Sequence, residues 1–126
     1  MLVCGGRTFG ARVFTVPAVE DVPRVERERA LFAAVTRRLV TPAVIVAGEA
    51  RGADTLARWW AEAEGIPFDP HPARWEEHGA AAGHIRNQAM LDTGPDLVLA
   101  FPGGRGTADM VRRARRAGVP VLLVQP

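Results

Sequence analysis

Asp96-Leu97-Val98-Leu99-Ala100-Phe101-Pro102-Gly103-Gly104-Arg105-Gly106-Thr107 joins an apolar run to a glycine cluster and then to a helical pattern that begins near Ala108. A strand that ends in clustered glycines and opens into a helix is built to hold an anion. Glycine has no Cβ, so the backbone can turn tightly and come close to a ligand. The unbonded N–H groups of a helix start, with the positive end of its dipole, then favour a phosphate. The Gly-Lys-Ser/Thr ending of a Walker loop is absent. Thr107 offers a hydroxyl to phosphate or a cap to the helix.

Outward from that stretch, apolar runs and helical patterns alternate. Met1–Cys4 reads as a strand and Gly5–Pro23 as a long loop. Pro23–Leu39 reads as a helix with Val25, Ala30, Leu31, Ala34, Val35 and Leu39 near one face. Ala43–Ala47 is a strand, Ala53–Glu64 a helix closed by Gly65, and Ile66–Pro70 a short strand. Gly79–Leu91 is helical, Asp96–Phe101 a strand, Thr107–Ala117 a helix stopped by Gly118, and Pro120–Val124 a last strand. Repeated β–α alternation with continuously apolar strands predicts an α/β fold. We expect a single-domain, Rossmann-like, doubly wound parallel sheet of about five strands with helices on both faces. Right-handed crossovers and the order 3-2-1-4-5 follow, with strands 1 and 4 flanking the switch point. The loops Gly5-Gly6-Arg7 and Pro102–Thr107 would meet there.

The chain of 126 residues suits one domain. Its single cysteine, Cys4, cannot form an internal disulfide and supplies no metal framework. The N-terminal apolar stretch is too short for a signal-peptide core. No apolar run approaches the roughly 20 residues of a membrane span. A cytoplasmic protein without a membrane partner is expected. Every cation is arginine, and the formal net charge is +2. That modest charge, with no aromatic stacking set, argues against strong nucleic-acid binding. His71, His78 and His84 lack ligand-like spacing, so no metal is expected. Trp59 and Trp60 cannot both face one core, which hints at a subunit contact.

Around the switch point, Arg7 can clamp a phosphate bidentately. Gly48-Glu49-Ala50-Arg51-Gly52-Ala53-Asp54 follows the second strand; Gly48 permits close approach, and Asp54 either caps the helix or accepts ribose hydroxyls. Glu49 and Arg51 would pair in solvent, stabilising little. Arg112, Arg113, Arg115 and Arg116 form an outer basic face of the last helix, with Met110, Val111 and Ala114 turned inward.

Taken together, Val3-Cys4-Gly5-Gly6-Arg7, Gly48 through Asp54, Trp75 with Gly79 and Ala82-Gly83, Ile85-Arg86-Asn87 with Met90, and Phe101 through Asp109 resemble the YspA-type branch of the SLOG superfamily. Members of that superfamily resemble LONELY GUY phosphoribohydrolases and DNA-processing protein A. The resemblance implies a Rossmann-like fold that binds nucleotides or nucleotide-derived ligands at its glycine-rich loops, in homodimers or larger homo-oligomers. The enzymatic relatives hydrolyse the N-glycosidic bond of nucleoside 5′-monophosphates. They carry Arg-Lys-x-x-Met and Pro-Gly-Gly-x-Gly-Thr-x-x-Glu segments. Arg86 and Met90 match the first, and Asn87 replaces its lysine. Met110 stands at the glutamate position of the second, with Asp109 one residue earlier. A thioether can neither steady oxocarbenium charge nor activate water.

The leading expectation is a nucleotide-binding sensor or carrier. Gly5, Gly6, Arg7, Gly48, Asp54, Asn87, Pro102, Gly103, Gly104, Arg105, Gly106 and Thr107 are its candidate ligand-binding residues, and no further cofactor is needed. The first alternative is a nucleoside-monophosphate hydrolase with Arg86 and Asp109 as catalytic candidates. The second is a single-stranded DNA binder using the Arg112–Arg116 face.

Overall fold

A computed structural model describes residues 1–10 and 21–125. Its elements are β1 (Leu2–Cys4), α1 (Asp21–Arg37), β2 (Ile45–Ala47), α2 (Ala53–Glu64), β3 (Phe68–Pro70), α3 (Trp75–His78), α4 (Ala82–Asp92), β4 (Val98–Ala100), α5 (Arg105–Arg116) and β5 (Val121–Leu123). A short 3₁₀ turn, Gly79–Ala81, links α3 to α4. All strands are parallel in one sheet of order β3-β2-β1-β4-β5. The protein is an α/β protein of the Rossmann-like kind, as the alternation predicts.

Side chains alternate across each strand, so the sheet is apolar on both faces. Val3, Ile45, Ala47, Leu99 and Phe101 meet Phe32 of α1 and Leu56, Ala57 and Ala61 of α2. Leu2, Cys4, Val46, Val98 and Ala100 meet Met90 and Leu91 of α4 and Met110, Val111 and Ala114 of α5. One helical pair therefore covers each face. Phe101 anchors the first cluster, with its ring centroid 4.9 Å from Phe9 and 4.8 Å from Phe32.

Several boundaries differ from the sequence reading. Helix α1 starts at Asp21, ahead of Pro23, which a first turn tolerates because its N–H groups lack intrahelical partners. The predicted loop Gly5–Pro23 falls largely on residues 11–20, outside the described residues. On α1 the buried stripe runs through Val25, Phe32 and Thr36, while Ala30 and Ala34 are exposed. Thr36 tolerates burial because its hydroxyl donates to the Phe32 carbonyl at 2.9 Å. The predicted helix Gly79–Leu91 is a 3₁₀ turn followed by α4, and the short helix α3 precedes it, ending at Gly79, whose φ is +56°. Helix α5 begins at Arg105, two residues before the expected Thr107. No helix among the described residues is long and apolar enough to cross a membrane.

Candidate functional site

The carboxyl ends of β1 and β4 lie side by side at the centre of the sheet, where the strand order reverses. The loops that leave them open a cleft of about 1170 Å³. From β1 come Gly5, Gly6 and Arg7; from β4 come Pro102, Gly103, Gly104, Arg105, Gly106 and Thr107. Asp54 enters from α2, and Arg86 and Asn87 from α4. Gly48 falls instead in an adjoining hollow of about 340 Å³, which shares Ala50 and Asp54 with the cleft. Asp109 lines neither.

The two central loops are clasped together. The Gly6 amide donates to the Pro102 carbonyl at 2.9 Å, and the Phe101 amide to Cys4 at 2.9 Å. A Cβ on Gly103 would run into the Thr107 hydroxyl and the Gly6 nitrogen. Gly52 sits at φ +79°, where a Cβ would strike the Gly6 carbonyl. That carbonyl takes N–H groups from Phe9 at 3.2 Å and Ala53 at 3.3 Å. These glycines are therefore required by backbone crowding at the mouth of the cleft.

Helix α5 has Gly104 as its N-cap, with no side-chain capping bond. Thr107 is the third helical residue, which corrects its expected role as a cap: the chain turns helical two residues before it. The first bond of the helix runs from the Ala108 amide to the Gly104 carbonyl at 3.0 Å. The N–H groups ahead of it point along the helix axis at the cleft end of α5, where an anion is favoured.

Asp54 is buried, with one carboxylate oxygen 3.3 Å from the Ala50 amide. It makes no capping bond to α2, because Gly52 occupies the cap. Its Oδ2 and the Arg86 Nη1 both stand in the space that a Cβ on Gly48 would need. Burial pushes the Asp54 carboxyl up to about 6, against the lowering effects of Arg86, the Ala50 amide and Arg7. Arg86 is fixed by Asn87 Oδ1 at 3.1 Å and the His71 carbonyl at 3.5 Å. Arg7 is exposed, with its guanidinium carbon 5.7 Å from the Trp75 ring centroid. Trp75 lines the cleft in turn.

Asp109 lies at the α4–α5 seam. Asn87 Nδ2 and Arg113 Nε donate to its Oδ2 at 3.0 and 2.9 Å, and His84 Nδ1 is 3.0 Å from its Oδ1. Burial raises its carboxyl, but the donors from Asn87, Arg113 and His84 outweigh that and hold it below its ordinary range. Arg113 is thus drawn off the expected solvated face, and it also donates to Gln88 at 3.0 Å. Glu49 pairs with Arg58 of α2. Of the tryptophans, Trp60 packs edge-on to Phe32 and Trp59 is half exposed beneath Arg29. His84, weighed in the sequence only as a metal ligand, lines the cleft. Its position one turn before Asn87 on α4 was the available signal.

The fold and cleft define a Rossmann-like α/β protein with a ligand-sized opening at its topological switch point. The chain belongs to the "YspA, cpYpsA-related SLOG family", whose profile matches residues 1–78. The match takes in the β1 loop and Asp54 and ends before α4 and the Pro102–Thr107 loop. The chain is also similar to the Gene 61 protein of Mycobacterium phage D29. The two are 48% identical over 86 residues, which cover 63% of this chain and 69% of that protein. No solved structure matches it.

Proposed function

We propose that this protein binds a nucleotide or nucleotide-derived phosphorylated ligand in the switch-point cleft. One observation carries the reading: the cleft has the bare start of α5 on one side and the buried Asp54 beside Arg86 on another. A phosphate suits the first, because the helix dipole and free N–H groups favour negative charge. A sugar diol suits the second, because a carboxylate accepts hydroxyl protons while an arginine donates to their oxygens. Arg7, with Trp75 behind it, supplies a cation and a ring face at the mouth. Membership of a SLOG family is compatible with a nucleotide-related ligand.

Proton NMR of the protein mixed with a panel of nucleoside mono- and diphosphates and ADP-ribose tests the reading. Line broadening of at least one ligand, reduced in Arg7→Gln, is expected. Sharp ligand lines across the whole panel would overturn it.

A second reading, hydrolysis of an N-glycosidic bond, is favoured by the raised pKa of Asp54 rather than by Asp109. In that reaction water adds to the anomeric carbon while the base departs with a proton. A cleft carboxyl that holds its proton near pH 6 is suited to deliver one. Free-base signals in the same spectra, absent in Asp54→Asn, would establish it.

A further inference from the structure

His84 stands in the cleft wall with its side chain 55% exposed, while the side chain of Asp109 behind it is 8% exposed. The His84 Nδ1 lies 3.0 Å from Asp109 Oδ1. A carboxylate held anionic can only accept, so Nδ1 carries the proton. That fixes the tautomer and leaves Nε2 as the nitrogen available to the cleft. Asp109 is itself pinned by Asn87 and Arg113, with the Arg112 guanidinium 3.7 Å from the oxygen that His84 uses. Asn87 also donates to the Gly106 carbonyl at 3.1 Å, which ties the imidazole-bearing helix to the first turn of α5. The imidazole is thus held at the side of the cleft where α5 begins.

We propose that His84, oriented by Asp109, makes the cleft selective for a terminal phosphate monoester over a phosphodiester. The inference rests on the reading that the cleft takes a phosphorylated nucleotide. A monoester carries three acceptor oxygens and a second ionisation near pH 6. The start of α5 can engage oxygens on one side, and Nε2 meets one of the others. Nε2 and that oxygen then share one proton: a neutral ring accepts from P–OH, and a charged ring donates to P–O⁻. Both forms give the same short, charge-assisted contact. A diester has no P–OH to share, and its second ester group occupies the place of that oxygen. No bond is made or broken; the residue discriminates by the proton it shares. His84 contacts the ligand, and Asp109 is a positioning residue.

The test uses the adenosine, guanosine, cytidine and uridine 5′-monophosphates and the phosphate methyl ester of each, measured by calorimetry. Wild type is expected to prefer the best-bound monophosphate over its ester by about tenfold or more, the scale of one charge-assisted hydrogen bond. His84→Gln should bring the pair close together, whereas Arg7→Gln weakens both and keeps their ratio. Long-range ¹H–¹⁵N spectra of the ring should show a protonated Nδ1 in wild type and mixed tautomers in Asp109→Asn, with the preference reduced alongside. If Asp109→Asn fails to fold, His84→Gln still decides. A preference unchanged in His84→Gln overturns the inference and leaves nucleotide binding standing. No binding of any of the eight compounds overturns this inference, and the nucleotide reading falls with it only if the diphosphates and ADP-ribose also fail to bind.

Discussion

Asn87 Nδ2 bridges two acceptors of α5, the Asp109 carboxylate at 3.0 Å and the Gly106 carbonyl at 3.1 Å. One buried amide therefore holds α4 against the first turn of α5, the turn that faces the cleft. Asn87→Ala removes one donor from each acceptor, while Asp109 keeps Arg113 and His84. A lost hydrogen bond costs about 1 kcal/mol, so urea unfolding should show a lower midpoint with an unchanged slope. Asn87→Asp should be worse at neutral pH, because it sets a second carboxylate beside Asp109, and should recover part of the loss in acid. Equal midpoints for wild type and Asn87→Ala would remove the bridge from the stability of this seam.

Asp54 couples stability to pH. Its folded-state pKa is raised from 3.8 to about 6, burial being the largest cause. Between those values the native carboxyl holds a proton that the unfolded chain has released. Stability from this group is therefore complete below pH 3.8, falls as the pH climbs, and levels off above about 6. The full loss is about 3 kcal/mol. Asp54→Asn removes the ionisation, so it should raise stability at pH 8 by up to that amount, less the weakened Ala50 bond. At pH 4 the two proteins should match. A difference that does not change between the two pH values would contradict the raised pKa.

The strand order was legible because each β–α unit announces itself locally and only one glycine-rich loop follows each central strand. The cleft was legible for the same reason: Gly5–Arg7 and Pro102–Thr107 are read in place, and the switch point joins them. The face of α1 was less so. Alanine has too little apolar surface to choose a side, so Ala30 and Ala34 mislead, while Thr36 hides its hydroxyl within the helix. Asp54 looks like an ordinary first-turn acid; its burial comes from α2 packing on β1 and β2. The cluster of His84, Asn87, Asp109 and Arg113 joins residues of α4 to residues of α5 that stand on the far side of β4 in sequence. Only the packing of those two helices brings it together.

Cys4 faces the α4–α5 side of the sheet, and its thiol is pushed up to about 12 by burial first and the Asp54 charge second. At pH 8 the thiolate fraction is about one in ten thousand. Since the thiolate is the reacting form, a disulfide reagent should label the native protein only through unfolding. Labelling should speed up with urea in step with the loss of structure. Rapid labelling of the folded protein would place the thiol in a more polar setting than its buried strand position gives it.

Gly103 and Gly104 are neighbours in sequence with opposite tolerance for a side chain. A Cβ on Gly103 would meet the Thr107 side chain and the Gly6 backbone, whereas one on Gly104 meets nothing within 4 Å. Gly104 also has a negative φ of −98°, outside the left-handed region that favours glycine. Gly103→Ala must therefore push the β4 loop away from the β1 loop and move the start of α5. Because that helix start is the proposed phosphate contact, nucleotide line broadening should disappear in Gly103→Ala and persist in Gly104→Ala. Both glycines lie beyond the carboxyl end of β4 and outside the two apolar clusters, so both variants should unfold cooperatively, with the larger drop in midpoint for Gly103→Ala. If Gly103→Ala binds the same nucleotide as well as wild type, the clasp between the two loops is not what shapes the site.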